Sequence, residues 1–447
     1  MSINVYNIEQ VILDKMNSSS TELELLEYSK MLQQIKTGIV QVADTFASLP
    51  AYADSVGHMY YVTDEETIYW ANATNGWIAL NVQALNDLYS WGYMMYGERA
   101  TGYNYQQHCS PVQEITSSNT WTKLATNNQE GAGIKNNGTM WIWGRNINKQ
   151  AGDGYSNIPF SSPVQETTSG TDWCSVSISY TGIGGIKTNG TLWMWGQGFC
   201  GPNGINNTVN TSSPTQEITS STNWTCVNTY NTTLGLKSDG TLWGWGKNDI
   251  GQAMQNNTLG YSSPVQEITS STNWCHVNSG YYVVHAIKTD GTLWGAGAGG
   301  RFLGDGANIN RSSPVQEASS SANWCTQSGS SAIKTDGTLW GWGGNRCGEM
   351  GIGVCSTTCY SSPVQEITSS TNWNAVSGFN GTIQETKLAI KTDGTLWGWG
   401  DNFYGQAGCN VASNKISSPV QHFCSFTDWL LVRHTQYGTL GFRTITL

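Results

Sequence analysis

Apolar and polar positions alternate with a period of two through most of the chain. In Leu242-Trp243-Gly244-Trp245-Gly246 this puts both tryptophans on one face and Leu242, Gly244 and Gly246 on the other. Similar runs at residues 264–267, 274–278, 285–289 and 292–295 read as four short strands that together make one unit. Between the last two stands Asn-Gly or Asp-Gly, at Asn137-Gly138, Asn189-Gly190, Asp239-Gly240, Asp290-Gly291, Asp336-Gly337 and Asp393-Gly394. These pairs predict hairpins with type I′ turns. A bulky tryptophan face and a hollow glycine face predict that neighbouring units stack one into the other.

The units recur. Ser-Pro followed by Val or Thr and then Gln appears at Pro111, Pro163, Pro214, Pro264, Pro314, Pro363 and Pro419, at intervals of 52, 51, 50, 50, 49 and 56 residues. Such a period reads as the blades of a propeller, each a small antiparallel sheet. Six periods are complete, and the fragments at the two ends complement each other. Leu440-Gly441-Phe442-Arg443 matches Leu234-Gly235-Leu236-Lys237 and lacks the strand that should follow, whereas Leu88-Tyr89-Ser90-Trp91-Gly92 matches that missing strand. A seventh blade shared between both ends closes the ring and removes its open edges.

Ala-Ile-Lys-Thr-Asp-Gly-Thr-Leu-Trp-Gly-Trp-Gly at residues 389–400 resembles the repeat of the regulator of chromosome condensation family. The resemblance implies a seven-bladed propeller closed by a mixed blade. It leaves function open, because the family includes an exchange factor for the small GTPase Ran and a secreted β-lactamase inhibitor.

The first 84 residues follow another pattern. Ser19 and Glu22 have capping-box spacing. Leu25, Tyr28, Leu32, Ile35, Ile39, Val42 and Phe46 then keep the three-and-four spacing of a heptad seam, and isoleucine at both seam positions favours three strands or more. The alternative is a single amphipathic helix packed on its own domain. Residues 57–62, 67–71 and 77–80 alternate as a three-stranded meander. The run from Phe46 to Trp77, including Phe46-Ala-Ser-Leu-Pro50 and Asn75-Gly-Trp77, resembles a small module near the start of tail-fibre and other structural proteins of tailed phages. The expected fold is therefore mainly β, with a helical segment at 1–50, trimeric if the seam is a coiled coil, a small β-meander at 51–84, and a seven-bladed propeller at 85–447.

Composition narrows the uses of this fold. A formal net charge of −10 with pI near 5.0 opposes a phosphate-binding surface, which disfavours nucleic-acid partners. No run approaches the ~18 apolar residues of a membrane span, and the start lacks the basic-then-apolar order of a secretion signal. The eleven cysteines are odd in number. Four of them, Cys174, Cys226, Cys275 and Cys325, follow the repeat's tryptophan and read as small buried side chains.

Motifs for catalysis are absent: there is no His-Glu-x-x-His pair, nucleophile elbow, phosphate loop or dinucleotide fingerprint. Cys347, Cys355 and Cys359 lack a fourth ligand nearby, so neither a metal nor a cofactor is expected, and no residue is assigned a catalytic role. Lys135, Lys187, Lys237, Lys288, Lys334 and Lys391, and Glu114, Glu166, Glu217, Glu267, Glu317 and Glu366, occur once per blade, which reads as architecture. Differences between repeats concentrate in the connections that leave the Trp-Gly strand. There Tyr155, Phe160, Phe199, Phe302, Tyr360, Phe403 and Tyr404 are the candidate contact residues. Ala296 replaces a tryptophan in one blade.

Taken with the phage-module resemblance, these features predict a virion appendage assembled in the host cytoplasm. Its N-terminal segment would trimerise and hold other virion proteins, and its propeller would bind a host surface glycan or protein. The alternatives are a capsid or baseplate decoration and a regulatory or inhibitory protein-binding propeller.

Overall fold

Each repeat becomes one four-stranded antiparallel sheet, and seven of these form the ring. The computed structural model describes strands at Gln41–Ala43, Met59–Val62, Thr67–Asn72 and Gly76–Leu80. It then describes residues 86–444 except 95, 104–105, 119, 128, 147–151, 153–158, 180–181, 199–200, 300–301, 379–385, 410–413 and 435–437. The chain divides into two compact units, residues 1–85 with 444–447, and 86–443.

In the first unit the three meander strands gain a fourth, Gln41–Ala43, paired in parallel with Met59–Val62. Val42 therefore lies on a strand, opposite Tyr61, and not on the predicted helical seam. A β-branched residue beside a Tyr-Tyr-Val run favours that pairing. The other seam positions, Leu25, Tyr28, Leu32, Ile35, Ile39 and Phe46, lie outside the described residues.

In the second unit, blade 1 is assembled from Trp429–His434, Gly438–Thr444, Asn86–Met94 and Gln106–Gln113, in that order. Blades 2 to 7 begin with Trp121–Thr126, Trp173–Ile178, Trp224–Thr229, Trp274–Ser279, Trp324–Ser328 and Trp373–Gly378. They end with Phe160–Gln165, Thr211–Gln216, Tyr261–Gln266, Arg311–Gln316, Ser356–Gln365 and Lys415–Gln421. The shared closing blade is as the sequence predicts, but its division is two strands from each end. The Ser-Pro strand is the outer strand of the preceding blade, and not the first strand of its own period.

Two local geometries differ from expectation. In the Asp290-Gly291 hairpin only Gly291 has positive φ, +79°. Gly291 N–H donates to Lys288 O and Lys288 N–H to Thr292 O. This is a type I turn followed by a left-handed glycine, not a type I′ turn. Asp290 Oδ1 accepts from the backbone and hydroxyl of Thr292, which holds aspartate in the ordinary φ region. The second is a register shift just after the first tryptophan of every blade, for example between Trp274 and His276. This bulge turns the next residue outward. Cys174, Cys275 and Cys325 are consequently exposed, contrary to the buried role expected of them, while Cys226, one residue further along, is half-buried.

Candidate binding face

Three repeated contacts show what the per-blade residues do. The carboxylate of Glu267 is buried and accepts from Thr269 N (2.7 Å), Thr269 Oγ1 (2.7 Å), Ser271 N (2.8 Å) and Trp274 Nε1 (3.3 Å). It ties the outer strand of blade 4 to the innermost strand of blade 5. Lys288 Nζ then lies 4.7 Å from the ring centroids of both Trp274 and Trp294, a cation–π sandwich. Finally, the second tryptophan of the third strand reaches the preceding blade. Trp245 Nε1 donates to Pro202 O (2.8 Å), Trp143 to Glu98 O (2.8 Å), Trp342 to Phe302 O (2.9 Å), Trp399 to Glu349 O (3.0 Å) and Trp91 to Gln406 O (3.0 Å).

The tryptophan therefore packs on its neighbour's connecting segment rather than on the hollow strand face predicted for it. Small residues make room: a Cβ on Gly204 would lie 2.9 Å from Trp245, and one on Gly408 would lie 3.0 Å from Trp91. Ala296 vacates this place in blade 5, and the equivalent of Gly204 there is Met254, fully buried in one cluster with Ala296. The missing tryptophan is thus refilled from the neighbouring segment.

Blade 1 also breaks the pattern. His422 stands where the other junctions carry glutamate. It packs against Trp91 and Trp429 at 5.2 and 5.8 Å between centroids, and Nδ1 accepts from Cys424 N (3.3 Å). Burial holds its pKa down to about 4. Arg443 replaces the sandwiched lysine and forms a bidentate pair with Asp428 at 2.8 and 2.9 Å.

Strand order sends the connection between first and second strands, and that between third and outer strands, to one rim of the ring. On this rim Tyr230, Tyr281, Tyr282 and Phe302 form a chain of ring contacts at 5.7, 4.2 and 5.8 Å across blades 4 and 5. Tyr93, Tyr404 and Phe403 form a second at 5.2 and 4.9 Å across blades 1 and 7. Phe403 is 60% exposed and Tyr282 40%. Of the candidate contact residues, Phe302 belongs to the first of these clusters and Phe403 and Tyr404 to the second. Phe160 and Tyr360 lie instead within outer strands, the first at the start and the second midway, opposite Gly144 and Gly343, and Phe160 packs on a core cluster. Tyr155 and Phe199 lie outside the described residues. Tyr230, Tyr281 and Tyr282 escape the sequence reading because they belong to the shorter connections.

The innermost strands surround an axial channel of about 690 Å³. Hydrogen bonds pass from blade to blade around its wall: Thr229 N–H to Ser177 Oγ (2.9 Å), Ser279 N–H to Asn228 Oδ1 (3.0 Å), His434 N–H to Ser377 Oγ (3.1 Å) and Thr126 Oγ1 to His434 O (3.0 Å). Buried His285 donates through Nε2 to Leu303 O (3.2 Å) and accepts through Nδ1 from Gln327 Nε2 (3.3 Å), which defines a neutral ring. Burial lowers its pKa to about 4 and that of His434 to about 3, the latter helped by the charge of Lys387.

Among the described residues there is no cluster of three or more His, Cys, Asp or Glu fit to hold a metal ion. Cys347 is buried, its thiol pushed up to about 11 by burial and by Glu349. Among those residues, too, no helix is long and apolar enough to cross a membrane.

Residues 388–406 match the model of the regulator of chromosome condensation (RCC1) repeat. Among solved structures, yeast RCC1 (Prp20) bound to Kap60 is similar at 15% identity, covering 81% of this chain and 89% of that one, with a TM-score of 0.69. Prp20p from Saccharomyces cerevisiae, studied for its binding to Gsp1p and histones, gives 15%, 82%, 92% and 0.68. Human WBSCR16 gives 14%, 81%, 100% and 0.67. No curated protein matches the chain. At these identities the likeness is one of fold: a seven-bladed propeller of RCC1 type.

Proposed function

We propose that this propeller is a binding head that contacts its partner through the variable rim and performs no catalysis. One observation carries the reading. The charged and aromatic groups that repeat in each blade are consumed by contacts within the ring, whereas the connections on the variable rim hold aromatic clusters with exposed members, Tyr282 and Phe403. Aromatic anchors among small polar residues suit macromolecular recognition. The phage-module resemblance of the N-terminal segment supports reading the chain as a virion appendage, trimeric through that segment, whose partner is a host surface glycan or protein.

The test is adsorption. Purified full-length chain should be trimeric by light scattering, bind host cells and compete with particle adsorption. Phe403→Ser with Tyr282→Ser should weaken that binding while leaving the fold intact. A monomer that neither binds cells nor competes would sink the appendage reading. A regulatory reading gains support from the structural neighbours, one solved with Kap60 and another studied with Gsp1p and histones. It predicts capture of a single soluble protein by the same rim.

A further inference from the structure

We propose that the axial channel is a binding site for a small oxyanion, held by Arg433 with His276 and Lys123. The proposal does not depend on the rim reading. The chain carries 31 acidic residues and a net charge of −10, yet among the described residues no Asp or Glu lines the channel. Its charged lining residues are Lys123 and Arg433, joined by His276 and His434. In an acidic protein this is a local inversion of charge, inside a cavity whose walls screen poorly.

Hydrogen bonding strengthens the bias. Ser177 Oγ, Asn228 Oδ1 and Ser377 Oγ are all used as acceptors by the belt that joins neighbouring blades. The hydroxyl protons of Ser177 and Ser377 and the amide protons of Asn228 are therefore what remains to be offered. His276 Nε2 donates to Gln327 O (3.1 Å). A lining whose described residues are rich in donors and include no carboxylate suits an acceptor-only ligand.

Arg433 occupies the place taken by Ala125, Ser177, Asn228, Asn278, Ser328 and Ser377 in the other innermost strands, the fifth residue from the tryptophan. Its guanidinium donates to Val432 O through one nitrogen (3.1 Å). Burial weakens its hold on the proton; burial first, and after it the charge of Arg433, lowers the pKa of His276 on blade 5, so that charge is felt across the channel. A planar fork of donors in such a site matches the paired oxygens of a phosphate or carboxylate. The volume falls in the range that accommodates a small organic ligand.

The experiment is calorimetric titration of the full-length protein with inorganic phosphate and with citrate, at ionic strength fixed with sodium chloride. Saturable binding of either anion is expected, and the preferred one distinguishes phosphate from carboxylate chemistry. Arg433→Gln should weaken it roughly ten- to a hundredfold, the value of charge-assisted hydrogen bonds, and Arg433→Lys by less. Lys123→Gln, at an exposed position, should weaken it severalfold, which keeps the test decisive if the Arg433 variants do not fold. Absence of saturable binding beyond the chloride control, or equal affinity in folded Arg433→Gln or in Lys123→Gln, would overturn the proposal.

Discussion

The junction between blades 4 and 5 and the one that closes the ring between blades 7 and 1 do the same work with different chemistry. The first uses the buried carboxylate of Glu267, satisfied by four donors, and Lys288 between two tryptophans. At the second, His422 leaves its own Nε2 and Trp429 Nε1 without partners, and the Arg443–Asp428 pair takes over the charge. A repeated junction can therefore be rebuilt locally, provided volume and charge are restored. Met254 facing Ala296 is the same lesson in apolar form.

The largest predicted effect removes the repeated device. Glu267→Ala strands four donors and should cost about 3–5 kcal/mol in urea unfolding. If it costs no more than a surface substitution, the carboxylate is not what joins the blades.

Acid should weaken the buried histidines next. The folded pKa values of His285 and His422, about 4, lie below the unfolded value near 6.5. Their stabilising contribution is thus complete above about pH 6.5 and is lost as pH falls toward 4. Each contributes on the order of 2–3 kcal/mol over that window, so His422→Glu should flatten the pH dependence of stability. An unchanged slope would mean that His422 is not held neutral.

Ala296→Trp restores the repeated residue but collides with Met254, and should cost about 1–3 kcal/mol by overpacking. Adding Met254→Gly should recover most of that loss. Simple additivity in the double-mutant cycle would refute the exchange of volume. Smallest of all, Phe403→Ser should change stability by less than about 0.5 kcal/mol, measurable as an unchanged denaturation midpoint. A large loss would make that aromatic part of the ring's structure instead of its contact surface.

Much of the ring is readable in the sequence because each blade repeats the same burial problem, and seven copies reinforce a single pattern. The phase of the repeat is not. Any cyclic ordering of four strands gives the same period, so only the sheet itself assigns Pro264 to blade 4. The exposure of Cys174 depends on a bulge that leaves no compositional trace. Phe160 and Tyr360 were indistinguishable from rim residues because the outer strand abuts the variable connection. Arg433 escapes the sequence reading, although alignment of the seven innermost strands leaves it as the only charged residue in its column. Its significance required the channel.

The division of blade 1 also sets an order of events during synthesis. Asn86–Met94 leaves the ribosome roughly 350 residues before its partner Gly438–Thr444 exists, and contacts so distant in sequence are slow to form. Six blades can fold in succession while this strand waits with one edge unpaired. The nascent chain is therefore a partial ring with an adhesive edge, and its yield depends on how that edge is sheltered until Gly438–Thr444 arrives.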